Sequence, residues 1–215
     1  MLLTLHGGRT RIISLQQAIS RLGMTTIRQI ALAVSCETRV FRVKGHEGRV
    51  REMFRHSLCT SFLAQEIARL VRRNVEEAFL SGLLHDVGRP VVLQEVIDLS
   101  AELRCALPGD ALEATMDAFH ARAGAAVART WGFLPGLVET IEHHHEPTLA
   151  PTHAALAALV ALADDIAHHL CLDRPVDLAM LKNHPSLKVI NVYPEDLDKL
   201  LLRGPEALSW AEAFG

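Results

Sequence analysis

Residues 79–88 restrict this chain more than any other stretch. Phe79-Leu80-Ser81-Gly82-Leu83-Leu84 is an apolar, helix-forming run, and it ends in His85-Asp86-Val87-Gly88. A core helix normally ends in a polar residue of no chemical consequence. Here the last turn holds an imidazole and a carboxylate side by side, two groups that bind divalent metals. Gly88 follows, and a glycine can take the left-handed conformation that stops a helix and leaves the pair at a rim. A His-Asp neighbour pair carries little information by itself. Its weight comes from the chain's 12 histidines, which bunch in the middle of the sequence and recur at helical positions.

The long segments are dominated by Ala, Leu, Arg and Glu, which favour helix, so the expected fold class is all-α. With 215 residues, 49% of them hydrophobic, the chain can bury a sizeable core as one domain. A net charge of -3 argues against a general nucleic-acid binder, although the N-terminal third is locally basic. Cys36, Cys59, Cys105 and Cys171 form no Cys-x-x-Cys pair and read as free, mostly buried thiols of a reducing cytoplasm. Residues 1–5 are too short an apolar run for a signal peptide, and the stretch 154–163 is about half of what a membrane span needs. The expectation is a cytoplasmic protein without a membrane partner.

Apolar spacing predicts a hairpin of helices over 14–22 and 25–34, without the polar reading face of a DNA-binding helix. A long helix follows over 49–71, then one from Asn74, a plausible cap, to His85. Pro90 is read as opening a short apolar segment over 91–97, with a helix to Leu103 and a loop at 108–110. Further helices are expected over 111–130, 136–145 and 152–170, with short ones over 176–181, 195–202 and 206–214. Three parts result: 1–48, 49–175 and 176–215, in one domain overall.

Glu52 and His56 are spaced i, i+4 and share a helix face. His85 and Asp86 close the next helix, His120 sits in a later one, His144 and His145 end another, and Asp164 lies in the one after. Five helices can thus each point one or two ligands at a common centre, which is how bundles build two-metal sites. Mixed His and carboxylate ligands suit Fe, Mn, Zn or Co better than Ca or Mg. Such a site lowers the pKa of water and clamps a phosphoryl group for in-line attack. Each member also has a bland reading. A lone His120 is more often a surface or satisfied core residue, and a lone Glu52 a solvated charge. Asp165 is read as a solvated neighbour of Asp164, and His168 and His169 as surface residues. His46, His153 and His184 have no evident partner.

The order of these residues resembles the HD superfamily of metal-dependent phosphohydrolases, and more closely its HDOD branch, the output domain of bacterial signalling proteins. The likeness rests on Glu77 to Gly88, on His120-x-x-x-Gly124 followed by Trp131-Gly132-Phe133-Leu134-Pro135, on Ile141-Glu142-His143-His144-His145-Glu146-Pro147, on Leu162-Ala163-Asp164, and on Ser14 to Gly23. It implies an HD-type multi-helix bundle, here with a short, truncated N-terminal helical subdomain. By position, Asp86 would bridge two divalent metals. His56, His85 and Asp164 would complete one, and His120, His144 and His145 the other. Glu52 would match an acidic ligand found in a related cyclic-dinucleotide branch, and Arg89 would clamp a phosphate. The resemblance implies a phosphohydrolase-like activity on phosphoesters such as nucleotides or cyclic dinucleotides, and a signalling protein partner. The alternative is a non-catalytic interaction module. After His145-Glu146 the chain reads Pro-Thr-Leu-Ala-Pro, where the cyclic-dinucleotide branch carries Asp-Gly-x-Gly-Tyr-Pro.

Overall fold

The computed structural model describes residues 42–105, 107–171 and 177–214, together with Met24, Ala31 and Ser35. Most of the expected hairpin over 14–34, most of the 1–48 part and the interruption at Pro175 lie outside the described residues. Among these residues there are helices and no strands. The long elements are α1 (Glu47–Leu70), α2 (Val75–Leu84), α3 (Gly88–Leu103), α4 (Gly109–Thr130), α5 (Pro135–His143) and α6 (Ala154–Cys171). A 3-10 turn, Pro147–Leu149, separates the last two. The tail is α7 (Leu178–Lys182), α8 (Ser186–Ile190), α9 (Pro194–Leu201) and α10 (Gly204–Phe214).

Local chemistry explains the boundaries. The Asn74 side chain accepts from the N–H groups of Glu76 at 3.1 Å and Glu77 at 3.2 Å, capping α2 where Glu76 and Glu77 also suit the helix dipole. Pro90 does not break α3. It sits in the first turn, where the missing N–H has no intrahelical partner to lose, so one helix runs through the expected apolar segment. For the same reason Pro135 opens α5. The short helix α8 has no counterpart in the sequence reading, since five residues leave too little periodicity to detect.

Helix α6 is the centre of the bundle. Ten of its residues are buried, from Leu156 through Ala163 and then Ile166 and Ala167. Its uninterrupted apolar stretch ends at Asp164, and the whole 18-residue helix is long and apolar enough by length and composition to cross a membrane. Here those apolar faces are covered by α1, α2, α5 and α8. On its flanks α1 packs against α2 and α10, α3 against α4, and α4 against α5. Phe54, Leu58, Leu63 and Ile67 of α1, Phe79 and Leu83 of α2, and Leu159 and Leu162 of α6 are all fully buried. Each contributes about 1.5–3 kcal/mol relative to exposure.

Gly88 corrects the expectation placed on it. It is not among the residues with positive φ; it is the first residue of α3. Its role is contact. A Cβ there would lie 1.9 Å from the His120 carbonyl oxygen and 2.6 Å from the Gly124 nitrogen, so α3 and α4 cross backbone to backbone. Nor does the pair before it stand at a rim: His85 is fully buried and Asp86 is 5% exposed. Gly88→Ala is expected to cost about 3 kcal/mol or more by forcing α4 outward. It should also displace His120. A thermal melt and metal titration of the variant check both effects; an unchanged melting temperature would refute the close-contact role.

Candidate metal centre

Two helix ends and three helix interiors deliver the side chains. His56 comes from the middle of α1, His85 and Asp86 from the turn after α2, His120 from α4, His144 and His145 from the end of α5, and Asp164 from α6. Two crossings hold these elements in place. A Cβ on Gly82 would lie 2.8 Å from the Ser61 Cα, so α2 rides directly on α1. The Glu139 carboxylate of α5 accepts from the N–H groups of Thr152 at 3.0 Å and His153 at 2.8 Å, tying α5 to the start of α6. His153 Nδ1 also lies 3.2 Å from Glu139, a partner the sequence did not offer.

The three buried histidines share one arrangement. Nδ1 of His85 donates to the Gly82 carbonyl, Nδ1 of His120 to Met116, and Nδ1 of His144 to Ile141, each at 2.8 Å. That bond fixes the tautomer: with the proton on Nδ1, each Nε2 turns an unshared pair inward. His120 Nε2 lies 3.3 Å from His144 Nε2 and 2.8 Å from His145 Nε2. Between His120 and His144, two lone pairs then face each other with no proton to share. Two nitrogens bound at about 2.0–2.1 Å in a tetrahedral arrangement would sit ~3.3 Å apart, so the spacing of this pair is the one that two ligands of a single cation would have. His85 Nε2 is buried and makes no hydrogen bond of ordinary geometry among the described residues.

The ligand-type atoms fall into three overlapping groups, each within 4.8 Å: His120, His144 and His145; His56, His85 and Asp164; and His85, Asp86 and His144. Asp86 stands between the first two. Its Oδ1 lies 3.3 Å from His120 Nε2 and 3.8 Å from His144 Nε2, and its Oδ2 3.7 Å from His85 Nε2. On the other side, Asp164 Oδ1 is 2.7 Å from His56 Nε2 and 3.4 Å from His85 Nε2. Seven side chains in all therefore offer ligand atoms that could hold divalent metal, with Asp86 presenting one oxygen to each side.

Glu52 is not brought to this centre. It is exposed and belongs to none of the three groups; Val50 and Phe54 beside it in α1 are buried, and the side of the helix that carries Glu52 faces solvent. Arg89 is close but engaged. Its Nε donates to Asp86 Oδ2 at 2.8 Å and one Nη lies 2.9 Å from Asp117 Oδ1. The fork read as a phosphate clamp thus holds two carboxylates, one of them Asp86 itself. Asp117 was not singled out from sequence, and its place one turn before His120 was no signal by itself. Asp165 is more than a solvated neighbour: its Oδ2 lies 2.9 Å from His184 Nε2. His168 is exposed, as expected, with its ring edge-on to His56 at 6.2 Å between centroids.

The electrostatics differ across the centre. Burial opposes charge on His56, but its bond to the Asp164 carboxylate prevails and raises its pKa to about 10. His85 is likewise raised against the effect of burial by the charges of Asp86 and Asp164. On the other side burial prevails. It lowers His144 to about 3, helped by neighbouring imidazoles, and it lowers His120. Asp86 and Asp164 are held below the usual carboxylate range; burial opposes their charge, but facing imidazoles outweigh it, joined at Asp86 by Arg89. Two ionised carboxylates set among histidines suit a cation-binding centre.

Comparison with known proteins agrees with this geometry. The family model for the HDOD domain matches residues 4–147. Ribonuclease Y of Mycoplasma mycoides is 25% identical over 189 residues, 84% of this chain and 38% of its own length. Ribonuclease Y of Geobacter metallireducens is 30% identical over 126 residues, 59% of this chain and 20% of its own length. The chain thus spans well under half of these relatives. Among solved structures, an HDOD domain protein of unknown function from Geobacter sulfurreducens superposes with a TM-score of 0.70 at 25% identity, covering 98% of this chain and 78% of that one. A candidate phosphohydrolase from Shewanella amazonensis gives 0.72 at 22% identity, covering 95% and 78%, a likeness of fold. With an all-α HD-type bundle and two-thirds of its length matched by the family model, the chain belongs to the HDOD family.

Proposed function

We propose that this chain holds a pair of divalent transition-metal ions, drawn from Fe, Mn, Zn or Co, and acts on phosphoesters as a metal-dependent phosphohydrolase within bacterial signalling. The observation that carries the reading is the charge balance of the centre. Five imidazoles and two carboxylates converge there, and imidazole ligands are neutral when they bind metal. Two dications would therefore be only half neutralised, which leaves a positive site suited to a phosphoryl group. Bound ions of this kind acidify water and offset charge on a phosphoryl group. The chain's own residues do the rest. The Nδ1 bonds to the carbonyls of Gly82, Met116 and Ile141 orient the imidazoles. Arg89 positions Asp86 by holding Oδ2. His145, exposed at the rim, is where a ligand would meet the centre. The ribonuclease Y relatives are ribonucleases by name and share the phosphodiester bond as a substrate class.

A non-catalytic output module is the second reading, favoured by one observation: Arg89 is held by Asp86 and Asp117 and not free to receive a phosphate. Purification without chelators followed by elemental analysis and a chromogenic phosphodiester assay with manganese separates the two. The expected result is between one and two metal equivalents per chain and manganese-dependent turnover. Fewer than one equivalent would sink the enzyme reading; full metal without turnover on any phosphoester would support the output module.

A further inference from the structure

Two thiols lie in the helix interface that carries one half of the centre. Cys59 stands three residues after His56 in α1, and Cys171 stands seven residues after Asp164 in α6. Both spacings return to the same helix face. The two faces meet where His56 Nε2 and Asp164 Oδ1 are 2.7 Å apart, and the ring of His168, also on α6, stands edge-on to His56. There the thiols of Cys59 and Cys171 hydrogen-bond each other, and Cys171 also hydrogen-bonds the His56 ring. Sulfurs in such contact are close enough for side-chain rotation to bring them to the ~2.05 Å of a disulfide.

This sets His56 apart from the other histidines of the cluster. His85, His120 and His144 are each held by a backbone carbonyl, a partner that no oxidant alters. The His56 ring has a thiol beside it, and a thiol is the one partner here with redox chemistry of its own. The two sulfurs also differ in access. Cys59 is 0% exposed, whereas Cys171 is the last residue of α6 and is half-buried. An oxidant therefore meets Cys171 first, and Cys59 is placed to resolve the product.

We propose that Cys59 and Cys171 are a peroxide-oxidisable pair whose reversible disulfide loosens the His56 half of the metal centre. The Cys171 thiolate attacks one oxygen of a hydroperoxide. An S–O bond forms, the O–O bond breaks, and the departing oxygen takes up the proton that the thiol gave. Cys59 sulfur then attacks the sulfenic sulfur. The S–S bond forms, the S–O bond breaks, and water leaves with the Cys59 proton. The thiols lose two electrons and the peroxide gains them. The disulfide has no S–H to donate and is drawn toward Cys59, so His56 loses its contact with Cys171. Loss of a partner that orients a ligand costs about 10–100-fold in metal affinity. The consequence for metal rests on the metal-centre reading above; the bond between the sulfurs does not.

The test oxidises the metal-free full chain with hydrogen peroxide before manganese is added. Peptide mapping by mass spectrometry without reductant locates any linkage, and calorimetry gives the manganese affinity. The expected result is a peptide joining Cys59 to Cys171, with manganese affinity lower by about tenfold or more, and both effects reversed by dithiothreitol. Cys105→Ser, at an exposed position, should leave the linkage and the affinity change intact. Cys171→Ala in reductant should by itself lower manganese affinity about tenfold, as loss of an orienting partner does. Thiols that stay unlinked, thiols that link to Cys36 or Cys105 in place of each other, or a linkage that leaves manganese affinity unchanged would overturn the proposal. A Cys59–Cys171 linkage in protein that binds no manganese even when reduced would uphold the thiol pair and remove the metal reading instead.

Discussion

Asp86→Asn is expected to strip metal from both halves of the centre. Asp86 faces His120 and His144 with one oxygen and His85 with the other, whereas every other member of the cluster lies on one side or is shared less evenly. Loss of a residue that merely orients a ligand costs roughly 10–100-fold in metal affinity; loss of the shared carboxylate should cost more than about hundredfold at each half. The amide keeps the shape and leaves Arg89 its contact with Asp117, so the helical fold is expected to persist. Elemental analysis and far-ultraviolet circular dichroism on the same sample decide the matter. Helical, metal-free protein agrees with a bridging Asp86. Two retained equivalents would refute it. His56→Ala should instead empty only the half that contains Asp164.

Metal affinity is expected to rise steeply with pH at one half of the centre and hardly at all at the other. In metal-free protein His56, with a pKa of about 10, and His85, shifted upward by the charges of Asp86 and Asp164, hold protons more tightly than a free imidazole. A cation must displace them, so the half with Asp164 gains about tenfold in affinity per pH unit for each proton released. His144, lowered to about 3, and His120, also lowered, are already neutral and offer lone pairs without proton release. Calorimetric titration in two buffers of different ionisation enthalpy, at about pH 6 and pH 8, counts the protons. Equal affinity at both pH values with no proton release would refute the assignment.

The same shifts fix the pH dependence of the metal-free fold. His56 is raised, so its contribution to stability is complete below the ordinary value of 6.5 and is lost as pH rises through about 10. His144 is lowered, so its contribution is complete above 6.5 and is lost as pH falls toward about 3. Asp86 and Asp164 are also lowered and withdraw support only as acid protonates them, below the usual carboxylate range. Metal-free protein should therefore be most stable near neutrality, while bound metal should protect it most on the alkaline side.

Much of this protein is determined by its sequence alone. Apolar periodicity and a few caps locate the long helices: Asn74 begins one, Pro135 begins another, and the Ala/Leu run over 154–171 becomes the buried centre. The histidines and aspartates that share the candidate site were legible because their order along the chain matches a family pattern. Periodicity, however, gives the face on which a residue lies and not the depth at which two helices cross. The tertiary structure alone places Glu52 in solvent and joins Arg89 to Asp86 and Asp117. It also pairs His184 with Asp165 of α6. It shows that Gly88 is a glycine because α3 and α4 touch there, not because a helix turns left-handed. Each of these depends on atoms far apart in the chain, where packing, not local propensity, sets the distance.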